Sequence, residues 1–340
     1  MPGPMKLRGI IIIGALFLGA FTAFIIPGKT TMSSPGEEVK KTRTGFDLWD
    51  FFPTLNNMEN DSVIIPLKRA GRLFLIDAKV DDETGNLIFD SGTQDMVLNS
   101  TYFRKYIQTE KVDSKGITGD VGSVEQAIIR RIEFADLEYR NMPVHLADLG
   151  HIENRKGVKI LGLFGFNLLR KYEIVIDALN NELKLYRIDK AGKRVQGSTS
   201  GFEQDYMQKI EGSGDILFLN GTIGGKLLNF CFDTAAETNV ISSSSGKPVL
   251  NTLTITRRTM LKGAGSSTSE VLFGRMNDFV IGNRQIGNME TVISNLHSLN
   301  EAYNTHIDGI LGCSFLEHGI VCVNFVKSQV GIRFIKGEKE

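Results

Sequence analysis

The sequence predicts a mostly β, two-lobed protein carried behind an amino-terminal transmembrane helix. Three observations predict it: short strand-like apolar runs between Gly, Asp and Asn turns, one punctuation mark that recurs in both halves, and an uncharged stretch near the start. The recurring mark is Leu87-Ile-Phe-Asp90-Ser91-Gly92-Thr93, then Asn229-Phe-Cys-Phe-Asp233-Thr234-Ala235-Ala236. Each drives an apolar strand into an aspartate, a hydroxyl residue and small residues. One such tetrapeptide is an ordinary turn. Its recurrence inside a larger repeat carries the information.

That repeat has a second mark. After Asp90 comes Ile160-Leu161-Gly162, a short helical stretch and the strand Tyr172 to Asp177. After Asp233 comes Ile310-Leu311-Gly312, then Cys-Ser-Phe-Leu and the strand Ile320 to Asn324. Two copies in fixed order give a duplicated, two-lobed chain, since a solenoid needs at least three repeats.

The elements follow in order. Residues 1–28 read as a signal anchor or signal peptide: Lys6 and Arg8 precede Gly9 to Ile26, eighteen residues without a charge. That length is at the lower edge of a membrane span and long for a cleavable leader, and no clean Ala-x-Ala site follows. The expectation is an uncleaved membrane anchor with its positive end in the cytoplasm and the rest periplasmic or extracellular. The alternative is a signal peptide, with the protein secreted after cleavage. Residues 29–60 read as a polar tether ending in the aromatic cluster Phe46, Trp49, Phe51 and Phe52, which suits docking onto the folded body.

Residues 61–190 form the first expected lobe. Val63-Ile-Ile-Pro-Leu, Leu73 to Val80 and Asn86 to Phe89 are its opening strands, the last two a hairpin that delivers Asp90. Residues 191–214, rich in Gly, Ser, Lys and Gln, read as linker. Residues 215–337 form the second lobe, where Ile216 to Ile223, the turn at Gly224-Gly225 and Leu227 to Phe232 repeat the hairpin and deliver Asp233.

Composition narrows the function. Lys plus Arg equals Asp plus Glu at 39 each in 340 residues, so no basic field exists to hold nucleic acid. The three cysteines, Cys231, Cys313 and Cys322, sit in apolar runs and read as buried hydrophobes rather than disulfides or nucleophiles. The five histidines form no His-Glu-x-x-His, and there is no Gly-x-Ser-x-Gly elbow or phosphate-binding loop. No metal or other cofactor is expected.

With these residues in view, the chain resembles the pepsin and retropepsin class of aspartic proteases. That class carries, in each half of the active unit, a strand ending in Asp-Thr/Ser-Gly-Thr/Ala/Ser and later an apolar-apolar-Gly strand beneath the aspartate loop. Asp90-Ser91-Gly92-Thr93 with Ile160-Leu161-Gly162 matches throughout; Asp233-Thr234-Ala235-Ala236 with Ile310-Leu311-Gly312 departs only at Ala235. The resemblance implies two retropepsin-like closed β-barrel lobes and an aspartic endopeptidase acting on peptide or protein substrates, with Asp90 and Asp233 as its catalytic pair. Because one chain supplies both aspartates, a monomer suffices for the active site.

Two close carboxylates cannot both ionise cheaply, so they share a proton, and one acts as base on water while the other acts as acid. The resemblance also implies that Ser91 and Thr234 fix the two loops across the lobe interface. Gly92 permits a tight turn that aims its amide at a carboxylate, and Gly162 and Gly312 leave room for strands to pass closely. Flap hairpins are expected at Gly119 and Gly122 in one lobe and at Gly263 and Gly265 in the other. Ala235 leaves two outcomes open. If its loop needs a positive φ, the methyl forces it open and the chain becomes a membrane-tethered pseudoprotease that binds extended peptides; if φ is negative, alanine fits.

Overall fold

The computed structural model describes residues 61–335, apart from residues 94, 107–111, 117–118, 196–200, 211–215, 263–267 and 304, together with short strands at Leu16–Phe17, Ala20–Phe21 and Thr54–Leu55. Most of the expected anchor and tether, including the aromatic cluster at 46–52, therefore lies outside the described residues. Among the described residues no helix is long and apolar enough to cross a membrane.

Both expected hairpins form. In the first lobe Leu73–Val80 pairs antiparallel with Glu83–Phe89, and in the second Phe218–Ile223 pairs with Lys226–Phe232. Each aspartate-bearing strand then pairs in parallel with the strand of the second mark: Glu83–Phe89 with Ile160–Phe164, and Lys226–Phe232 with Gly309–Leu311. A parallel neighbour on one edge and a hairpin partner on the other hold each strand inside its sheet, and the ends next to the aspartates, Leu87-Ile-Phe and Phe230-Cys-Phe, are buried throughout.

The two lobes differ in closure. In the first, Gly119–Phe134 pairs with both Leu137–Ala147 and Leu73–Val80, which returns the sheet to its start and makes a closed barrel. In the second, the expected closed barrel is instead an open nine-stranded half-barrel. The free edge of Phe218–Ile223 is taken by the short strand Phe279–Ile281, itself paired with Arg284–Ile286. It holds that edge at Thr222 and Ile223, the counterparts of Lys79 and Val80 through which Gly119–Phe134 closes the first barrel, so the closing pairing is displaced.

A third sheet joins the lobes. Its six antiparallel strands run Tyr206–Lys209, Gln329–Phe334, Gly319–Asn324, Tyr172–Asp177, Glu182–Arg187 and Ser62–Pro66. At its centre Ile174 faces Val323 and Ile176 faces Val321, one strand from each half. Tyr206–Lys209, within the segment read as linker, is an edge strand of this sheet.

Aromatic packing anchors the aspartate strands from behind. Phe89, fully buried beside Asp90, lies 5.3 Å from Phe164 and 5.7 Å from Phe166, ring centre to ring centre. In the second lobe Phe230 packs edge-on against Phe279 at 5.4 Å, and Phe279 against Phe315 at 5.9 Å. Burying such a ring stabilises by about 1.5–3 kcal/mol, and edge-on pairs add about 0.5–1.5 kcal/mol.

Candidate active site

The two recurring marks meet at the lobe interface. Ser91 N–H donates to Thr234 Oγ1 at 2.9 Å, and Thr234 N–H donates to Ser91 Oγ at 2.9 Å. Each hydroxyl then crosses over: Ser91 Oγ donates to the Phe232 carbonyl at 3.0 Å and Thr234 Oγ1 to the Phe89 carbonyl at 2.8 Å. Four buried bonds, related by an approximate twofold, fasten the loops that carry Asp90 and Asp233. Serine and threonine suit the position because one hydroxyl both donates and accepts.

The carboxylates sit at the centre of this clamp. Gly92 N–H donates to Asp90 Oδ1 at 2.9 Å and Ala235 N–H to Asp233 Oδ1 at 2.8 Å, the same bond in each lobe. A methyl placed on Gly92 would lie 3.2 Å from Asp233 Cγ and 3.2 Å from Asp90 Oδ1, so one glycine borders both acids. Asp233 also hydrogen-bonds the Asp90 side chain, and both residues are buried, at 0% and 1% exposure. Burial above all pushes the Asp233 carboxyl up to about 7 from 3.8, against the downward pull of the Ala235 and Ala236 amides and of Asp90.

Ala235 fits its turn. It is not among the residues with positive φ, and its methyl is fully buried in the apolar cluster of the first lobe with Leu73, Leu75, Ile88 and Val97. Ala235→Gly is therefore expected to lower stability by about 1–2 kcal/mol, from a freer unfolded chain and one lost buried methyl, while any cleavage activity stays within a few-fold. Denaturant unfolding checks it; a stabilised glycine variant would show that the alanine strains the loop.

The strand marks need one correction. Asp233 N–H donates to the Leu311 carbonyl at 2.9 Å, and Asp90 N–H donates to the Phe164 carbonyl at 2.9 Å. The counterpart of Gly312 is thus Gly165, three residues beyond Gly162, and Gly162 corresponds to Gly309. Added Cβ atoms confirm the pairing: at Gly165 one would meet the Thr93 carbonyl at 1.9 Å and at Gly312 the Ala236 carbonyl at 2.4 Å, whereas at Gly162 and Gly309 they meet Val97 and Val240 carbonyls at 2.3 and 2.4 Å. The signal was present as Gly162-Leu-Phe-Gly165 and Gly309-Ile-Leu-Gly312. Matching Ile-Leu-Gly to Ile-Leu-Gly hid it, because Phe164 occupies the place of Leu311.

Of the other expected positions, Thr93 is buried, its N–H bonded to the Asp90 carbonyl at 3.2 Å and its hydroxyl to the Asp95 carbonyl at 3.1 Å. Ala236 is also buried, its N–H bonded to the Asp233 carbonyl at 3.3 Å. Gly119 and Gly122 lie on a hairpin in which Gly119–Phe134 pairs with Val112–Gly116, with a register shift between Asp120 and Gly122. The matching hairpin of the second lobe pairs Leu253–Lys262 with Thr268–Met276, and Gly263 and Gly265 at its tip fall outside the described residues. Burial pushes the Cys231 thiol far up, with the nearby Asp233 and Asp90 adding to it, so it holds its proton and is no nucleophile.

The family described as aspartyl protease matches residues 219–315. Among solved structures, the aspartic proteinase from Irpex lacteus superposes with a TM-score of 0.49 at 13% identity, covering 81% of this chain and 98% of that one. No curated protein matches the sequence. The family match spans the second aspartate loop and its Gly-x-x-Gly strand, and it is the pepsin- and retropepsin-like aspartic protease family that this chain resembles.

Proposed function

We propose that the chain is an aspartic endopeptidase that hydrolyses peptide bonds with water activated between Asp90 and Asp233. The observation that carries this reading is the reciprocal clamp of Ser91 and Thr234, which brings two buried, hydrogen-bonded carboxyls together and leaves one near neutrality as an acid. In the ground state the pair holds one proton. The ionised member takes a proton from water as that water attacks the substrate carbonyl, and the protonated member supplies the proton that the departing nitrogen finally receives. The pseudoprotease alternative loses its main support, because Ala235 makes the same amide-to-carboxylate bond as Gly92.

Cleavage of an unbiased peptide library from acid to neutral pH, with and without a statine-type inhibitor, tests the reading. The Asp233 carboxyl near 7 sets the expected profile: activity holds while the pair keeps its shared proton and falls about tenfold per pH unit above about 7. Stability moves the same way. Between 3.8 and about 7 the native state holds a proton that the unfolded chain has lost, so stability declines as pH rises through that window. Cleavage that climbs above pH 8 would contradict this assignment.

A further inference from the structure

We infer that Lys156, Glu237 and Arg72 form a latch that sets the position of the second aspartate loop against the first lobe, so that all three are positioning residues; this rests on the proposed protease reading. Glu237 follows Asp233 by four residues and belongs to the same loop. Its Oε1 accepts from Lys156 Nζ at 2.8 Å and its Oε2 from Arg72 N–H at 3.2 Å. Both charged side chains are largely buried, at 11% for Lys156 and 12% for Glu237. Lys156 closes the helix Gly150–Lys156 and Arg72 opens the strand Leu73–Val80, so both anchors are first-lobe elements.

The Arg72 guanidinium and N–H both reach the second lobe. Its guanidinium pairs with Glu290 at 2.5 Å and Glu317 at 3.4 Å and reaches the Glu237 carbonyl at 3.4 Å, while its own carbonyl accepts from Cys313 Sγ at 3.0 Å. Gly71 makes the approach possible. At φ +66° it turns the hairpin, and a side chain there would meet Lys156 Nζ at 2.9 Å and Glu237 Oε2 at 3.0 Å. The corresponding position of the first loop is Gln94, which carries no charge, so the acidic residue is a feature of the Asp233 loop alone. Breaking one partner of a mostly buried pair leaves the other charge uncompensated, and the loop shifts to resolvate it.

The test uses the full chain with Lys156→Met, Glu237→Gln, Lys156→Arg and the Lys156→Met/Glu237→Gln double variant. The expected result is a kcat lowered roughly 10- to 100-fold in Lys156→Met and Glu237→Gln with KM within about 3-fold, near-normal kcat in Lys156→Arg, and a double variant no worse than either single. A second readout needs no substrate: carbon-13 NMR titration of the aspartate carboxyls. The ionisable neighbours of Asp233 are Asp90 and the thiols of Cys231 and Cys313, which burial keeps protonated. Loss of a bare charge would move the upper apparent value of the pair down in Glu237→Gln and up in Lys156→Met. Separation of the two aspartates moves it down in both. Opposite shifts, or no shift, overturn the latch. If the wild type cleaves nothing, the protease reading fails and the titration still decides the latch.

Discussion

Replacing Asp90 or Asp233 by Asn is expected to lower kcat/KM by roughly 10²- to 10⁴-fold, the range general acid–base groups supply. Asparagine keeps the shape and the amide bonds from Gly92 or Ala235 but cannot hold the shared proton. The pair acts as a unit, so the double variant should be no worse than either single. Folding gives an internal control. Asp233→Asn removes a buried acid whose ionisation costs stability as pH rises towards 7, so this variant should unfold no more easily than the parent at neutral pH. Cleavage surviving in both single variants would end the two-aspartate assignment.

The second large effect is expected at the glycines beneath the loops. Gly165→Val and Gly312→Val should each destabilise by about 3 kcal/mol, the upper range for overpacking, because the added Cβ meets backbone rather than a movable side chain. At Gly165 it would overlap the Thr93 carbonyl at 1.9 Å and press on the Asp90 carbonyl at 3.0 Å; at Gly312 it meets the Ala236 carbonyl at 2.4 Å. Dihedral angles do not impose glycine here, since φ is −111° at Gly165 and −108° at Gly312, open to any residue. Space alone does, and relief requires moving the aspartate loop. Denaturant midpoints measure the effect, and cleavage by whatever remains folded should fall with it. A Gly165→Val protein within about 0.5 kcal/mol of wild type would show that the loop has slack.

Much of this site was legible as chemistry in order along the chain. Asp90-Ser91 and Asp233-Thr234 could be named because each follows a short apolar run that reads as a buried strand, and because duplication repeats the residue types in the same order. The hairpins that deliver the aspartates were legible too, since turn residues and branched residues act locally.

What the sequence left open depended on partners remote in the chain. Ile160-Leu161-Gly162 was matched to Ile310-Leu311-Gly312 by residue type, whereas the hydrogen bonds to Asp90 and Asp233 select Phe164 and Leu311 as equivalents. The half-barrel of the second lobe comes with Phe279–Ile281 pairing at Thr222 and Ile223, a contact between segments remote in the chain that no local pattern encodes. The strand Tyr206–Lys209 is polar and short, and only the edge offered by Gln329–Phe334 makes it β.

The sequence by itself determined that two aspartate loops exist, one per half, with the hydroxyl residues needed to join them. Tertiary structure alone decided that Ala235 fits its turn, because it has no positive φ and its methyl packs among first-lobe side chains. It alone also set Glu237 between Lys156 and Arg72. Residue identity fixes what a group can donate, accept or ionise; where its partner stands, and how much water is left between them, depends on segments far apart in the chain coming to rest against one another.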